Sequence, residues 1–222
     1  MSNTIQVKTK QRVTDHGEVF TDHREVNAML DLVKQETENI DSTFLEPACG
    51  TGNFLIEILR RKLVVVERKY QRIQNDYERY AIAALCSIYG IELLPDNVER
   101  CKERLYKLFS HQYTTLFKKV NSDFLKSAEF ILDRNILCGN ALTLKDEKEK
   151  PIEFSQWAFV NPRQVKRKDY VFEEMMPKDE DNLFQSGMVP DEQGKPKFIP
   201  EWIREFPPTK YKELFLQDGV NE

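Results

Sequence analysis

Apolar residues recur at helical spacing from Asp22 to Val33, where Val26, Met29, Leu30 and Val33 share a face and Asp22 precedes Glu25 by three. That spacing predicts a helix opened by a capping box. Ser42-Thr43-Phe44-Leu45 then reads as a short buried strand running into the turn Glu46-Pro47-Ala48-Cys49-Gly50-Thr51-Gly52. A helix follows with Phe54, Leu55, Ile58 and Leu59 inward, and a long polar helix spans about Glu67 to Leu85. Ile88 to Leu93 reads as a second strand, ended by Pro95, and Asp96 with Glu99 predicts a cap on a helix carrying Val98, Leu105 and Leu108. Asn135 to Gly139 and Trp157 to Asn161 supply a third and a fourth strand. Strands alternating with helices predict an α/β domain with a mostly parallel sheet flanked by helices.

After Asp169 the periodicity fades, and six of the ten prolines lie between Pro177 and Pro208. The expected organisation is one domain over residues 1–170, with a helical N-terminal arm over about 1–41, and an irregular, proline-rich tail over 171–222.

Charge narrows the function classes. The 222 residues carry 33 Lys and Arg against 37 Asp and Glu, a net charge of −4, so nucleic acid must be met by a local patch. The longest apolar run, Leu63 to Val66, is far too short to cross a bilayer, and no secretory signal follows Met1. Cys49, Cys86, Cys101 and Cys138 form no CxxC pair, which points to reduced thiols, no metal site and a cytoplasmic protein.

The segment from Phe44 to Phe54 carries the chemistry. A strand that turns through G-x-G into a helix lets backbone approach a ligand and presents free amides to it. Taken alone, Gly50 and Gly52 fit a tight structural turn equally well. Glu92, at the end of the second strand, reads on its own either as a solvated strand-end acid or as a carboxylate able to accept from a ligand.

Glu46-Pro47-Ala48-Cys49-Gly50-Thr51-Gly52-Asn53-Phe54 closely resembles the first motif of the S-adenosylmethionine-dependent DNA methyltransferases, most of all the adenine-specific enzymes of restriction–modification systems. Further segments follow in the order of that family. Upstream, Gly17-Glu18-Val19-Phe20-Thr21 resembles the segment that closes over the methionine end of the cofactor. Downstream, Tyr89 to Leu93 resembles the ribose-binding motif, and Leu137 to Leu142 the motif that receives the adenine amine. The resemblance covers about residues 12–162 and implies a Rossmann-like class I methyltransferase fold. It implies S-adenosyl-L-methionine held by Phe20, Thr21, Glu46, Pro47, Ala48, Gly50, Gly52, Asn53, Phe54, Glu92, Leu93, Asn140 and Ala141. Glu46 either receives the methionine ammonium or braces the turn; Asn140, where the family carries Asp, either accepts from the adenine amine or caps a turn.

The same resemblance points to Asn161-Pro162 as the catalytic turn that accepts hydrogen bonds from the target amine. The family pattern continues with a second proline and an aromatic, whereas this chain has Arg163 and Gln164. Arg163 is the nearest plane to stack on a flipped base. Lys166-Arg167-Lys168 reads either as a phosphate-contacting patch for DNA or as a solvated face. Three functions stay open: an adenine-specific DNA methyltransferase, a degenerate cofactor-binding subunit working with a specificity subunit or another partner chain, and a methyltransferase for a protein or small molecule.

Overall fold

The computed structural model describes residues 12, 14, 21–175, 188–190, 196–198 and 201–220. The N-terminal part of the expected cofactor-closing segment, including Phe20, lies outside them. Helix α1 (His23–Asp31) is capped by Asp22, which accepts from the Arg24 amide at 2.8 Å. Val26 and Leu30 are buried, but Met29 and Val33, expected inward, are 54% and 45% exposed. A single turn, α2 (Lys34–Thr37), leads to β1 (Phe44–Glu46), then α3 (Asn53–Tyr70) and α4 (Gln74–Cys86). The helix expected over 67–85 is thus two helices. No proline or glycine marks the break; the chain turns so that Tyr70 stacks on Tyr80 at 3.8 Å and Tyr77 becomes buried.

β2 (Ile88–Glu92) follows, then α5 (Pro95–Leu116). The expected Asp96 cap is not used: Leu94 is the N-cap and Pro95 opens the helix, as its fixed φ and missing amide favour. Asp96 pairs instead with Arg12 at 2.9 Å. Helix α6 (Ser122–Asn135) is absent from the pattern reading, although Asn121 accepts from the amides of Asp123 and Phe124 and Phe124, Ala128, Ile131 and Leu132 are buried at helical spacing.

β3 (Ile136–Cys138) completes a parallel sheet of order β1-β2-β3, with Phe44 opposite Ile88 and Gly90 opposite Ile136. The helices pack an apolar core around it, including Leu55, Leu59, Leu63, Ile88, Leu105, Phe109 and Phe124. This three-stranded parallel sheet with flanking helices fits the expected Rossmann-like α/β fold.

The expected fourth parallel strand is different. β4 (Glu153–Asn161) pairs antiparallel with β5 (Gln164–Val171) in a separate sheet. Phe154 packs with Ile91, Ile152 and Phe172, and Tyr89 donates to the Ser155 carbonyl at 2.9 Å. Farther along, the Trp157 indole donates to Asn135 at 2.9 Å, the residue just before β3. β4 therefore runs from the carboxyl end of the parallel sheet, past its amino end, and finishes beyond it.

A short helix α7 (Phe172–Met175) and a small antiparallel pair, β6 (Met188–Pro190) with β7 (Pro196–Phe198), follow. β8 (Arg204–Glu205) and β9 (Thr209–Lys210) add to β5, so the segment expected to be irregular carries strands. A 3-10 helix (Leu214–Val220) packs on α6, where Leu214 is buried and its amide donates to Ser127 at 3.2 Å. No helix among the described residues is long and apolar enough to cross a membrane.

Candidate functional site

The carboxyl ends of β1, β2 and β3 bring the candidate residues together. Gly50 and Gly52 take φ of 53° and 85°, the left-handed region open to glycine. A Cβ on Gly52 would lie 2.5 Å from the Cys101 sulfur, so the loop sits directly on α5. Gly52 is also the N-cap of α3, with no side chain closing the helix start, which leaves the first amides of an 18-residue helix at the loop.

Glu92, nearly buried, pins this loop. One carboxylate oxygen accepts from the Gly50 amide at 2.8 Å, and the other from the Leu94 amide at 3.0 Å and Asn97 at 3.4 Å. The acid thus spans both turns that follow β1 and β2. Its first oxygen retains one acceptor position, fewer than a two-oxygen acceptance from vicinal hydroxyls would use.

Glu46 is half-buried at the end of β1, and its carboxylate accepts only weakly from the Ala48 amide, at 3.4 Å. Burial pushes its carboxyl above the ordinary value, and the Ala48 bond draws it partly back. Pro47 and Ala48 are exposed beside it, and Phe54 is half-buried. Cys49 is buried beneath the turn, where its contact with Cys101 and the loss of water drive the thiol far upward, so it is no nucleophile.

Asn53 ties the Thr21 segment to the loop: its amide donates to the Thr21 carbonyl at 2.9 Å, and its oxygen accepts from Arg104 at 2.9 Å. Arg104 also donates to the Thr51 carbonyl at 2.6 Å. Sequence reasoning missed Arg104, whose only signal is its place three residues after Cys101 on α5.

Of the two roles open to Asn140, its side chain takes the turn cap. Its oxygen accepts from the Leu142 and Thr143 amides at 2.8 and 3.3 Å, capping the turn after β3 and using both lone pairs. Asn140 and Leu93 do line one cavity of about 280 Å³ with Gly139, Thr143 and Asp146. Ala141 is half-buried in the same turn.

Asn161 and Pro162 are not brought to this loop. They form the β4–β5 turn, where Asn161 accepts from the amides of Arg163 and Gln164 at 2.9 and 3.0 Å. Asn161 lies eight residues along β4 from Glu153, about 26 Å for extended chain. Pro162 and Arg163 line a cleft with Ile73, Asn75, Arg79 and Tyr211, at the amino end of the parallel sheet.

The basic run is also engaged within the fold. Arg167 is buried and paired with Asp169 at 2.8 Å, Lys166 pairs with Glu205, and Lys168 lies 3.5 Å from the Trp202 ring. Alternation along β5 turns Arg167 inward, a point three like charges in a row do not reveal.

Residues 19–172 match the family model described as MmeI, DNA-methyltransferase domain. The chain belongs to the MmeI DNA-methyltransferase domain family. Among curated relatives of this MmeI-type domain, it is 27% identical over 161 residues to a Methanocaldococcus jannaschii protein named for a type II restriction enzyme and methyltransferase, covering 69% of this chain and 12% of that one. It is 28% identical over 133 residues to DNA methyltransferase A of Bacillus subtilis, covering 58% of this chain and 14% of that one. The chain thus spans about an eighth of the length of these relatives. No solved structure matches it. The MmeI-type match takes in β1 through β5, including the Gly50–Gly52 loop and Glu92.

Proposed function

We propose that this chain is the S-adenosylmethionine-binding part of an adenine-specific DNA methyltransferase. The observation that carries the reading is the Glu92 carboxylate bonded to the Gly50 amide beside the open start of α3. That arrangement fits the cofactor: positive-φ glycines admit it, free helix amides receive its carboxylate, Glu92 has an acceptor position for a ribose hydroxyl, and half-buried Glu46 suits an ammonium. Bound S-adenosylmethionine supplies an electrophilic methyl group on sulfonium. The chain's residues orient it: Asn53 and Arg104 hold the loop, and the Thr21 carbonyl is drawn over it through Asn53. The adenine amine of the cofactor falls to backbone groups and the cavity at Leu93 and Asn140, since the Asn140 oxygen is already committed.

Asn161 at the far end of β4 favours the second reading over a self-contained enzyme. In that reading the turn that accepts the target amine at the carboxyl end of the sheet comes from another part of a larger methyltransferase or from a partner chain. Adenine as the target base is supported by the likeness of Glu46–Phe54 to the adenine-specific motif.

Ultraviolet crosslinking with methyl-labelled S-adenosylmethionine tests the assignment. Label should enter the chain without DNA, be displaced by S-adenosylhomocysteine, and be lost in Glu92→Ala. No label on the wild-type chain would overturn it. Label carried to DNA, once an acceptor turn is supplied, should appear as N6-methyladenine; methylcytosine would refute the adenine assignment.

A further inference from the structure

Cations without a carboxylate partner gather at the amino end of the parallel sheet. Arg68 and Lys69 close α3, Arg72 lies in the next turn, Arg79 is on α4, Lys119 follows α5, and Arg163 sits at the β4–β5 turn. Among the described residues none of these six forms an ion pair. Neighbouring cations do: Lys210 pairs with Glu213 at 2.9 Å, and Lys212 with Glu78 at 2.5 Å.

The elements that carry the six meet in one surface. Tyr70 stacked on Tyr80 joins the end of α3 to α4, and Gln74 donates to the Lys119 carbonyl at 2.8 Å. Ile73, Arg79, Pro162, Arg163 and Tyr211 line one open cleft of about 600 Å³. The Arg79 guanidinium lies 5.0 Å from the Tyr80 ring and 5.5 Å from the Phe159 ring, so it is held in place before any anion arrives. Asp76 and Glu213 are the acids of the cleft, Glu213 already paired with Lys210, and the nearby Glu67 is occupied by Gln112 at 2.8 Å. On a chain of net charge −4, this end is locally positive.

We propose that the amino end of the sheet is a binding surface for the phosphate backbone of duplex DNA, separate from the Gly50–Gly52 loop. Spread guanidinium and ammonium groups match a polyanion with repeated charges better than a single small anion. DNA is the polyanion that the chain's family membership supplies, and the inference rests on that membership and not on cofactor binding. Because the surface lies at the opposite end of the sheet from the loop, the DNA it grips flanks the base being modified or belongs to a second segment.

Fluorescence anisotropy with a labelled 30-base-pair duplex, without cofactor, reads this directly. Arg68→Gln, Lys69→Gln, Arg72→Gln and Arg163→Gln together should weaken binding about tenfold or more at 0.1 M salt and lower the salt slope by about 3–4. All four side chains are exposed, so a thermal melt should match the wild type. A charge-matched control, Lys34→Gln, Arg100→Gln, Lys107→Gln and Lys126→Gln, should bind within about threefold of wild type. Equal weakening by both variants, an unchanged slope, or no duplex binding by the wild type would overturn the proposal. Glu92→Ala should lose the cofactor and keep the duplex, so failure of one reading is distinguishable from failure of the other.

Discussion

Lys62 is fully buried on α3, with its ammonium donating to the Ile40 carbonyl at 3.0 Å, the Ser87 hydroxyl at 2.7 Å and the Ser42 carbonyl. It ties the entry of β1 to the end of α4. Burial lowers its pKa to about 8, against a smaller raising effect of Asp41 and Glu36. The unfolded chain holds this proton up to about pH 10.4. Between the two values the unfolded state binds more protons, so the Lys62 contribution to stability rises with pH across that window and is lost on acidification through it. At ~1.4 kcal/mol per unit, the part of the window between pH 7 and 9.5 amounts to about 2 kcal/mol. Lys62→Met removes the titrating group while keeping the stem. Urea unfolding followed by circular dichroism at pH 7, 8 and 9.5 should show the wild type gaining about 2 kcal/mol on the variant. Other thiols and phenols cancel in that difference. Parallel stability curves would refute the reasoning and place the ammonium in water.

Gly52→Ala puts a side chain at φ 85° and 2.5 Å from the Cys101 sulfur, and should cost about 2 kcal/mol or more in stability, read as a fall in Tm; an unchanged melt would show that the loop is not packed on α5. Arg104→Met should weaken S-adenosylhomocysteine binding several-fold through the freed Thr51 and Asn53, with equal affinity counting against a positioning role. Asn161→Ala removes a cap on two amides, so it should cost about 0.5–1 kcal/mol in urea unfolding and leave cofactor affinity unchanged; a tenfold loss of affinity would place Asn161 at the cofactor loop after all.

The parallel half of the fold was legible because its signals are local. Gly50 and Gly52 mark a turn that only glycine makes easily, and Ile88 to Glu92 is an apolar run ending on the acid that pins that turn. What stayed hidden depends on tertiary contacts. The break between α3 and α4 has no breaker residue and follows from Tyr70 meeting Tyr80. The direction of β4 is set by Tyr89 reaching the Ser155 carbonyl and by Trp157 reaching Asn135, partners distant in sequence. An Asn-Pro after an apolar strand reads the same at either end of a sheet. Asn140 likewise carries no local mark of whether its oxygen faces a ligand or its own turn.

The central claim is that the Gly50–Gly52 loop, pinned by Glu92, is the cofactor site. Isothermal titration of the purified chain with S-adenosylhomocysteine tests it most directly, with Glu92→Ala beside the wild type. The wild type should bind one equivalent, and Glu92→Ala should lose about 1.5–3 kcal/mol, a tenfold to hundredfold weakening, as expected when a hydrogen bond to a charged group is removed. No heat with the wild type, or the same affinity in Glu92→Ala, would contradict it.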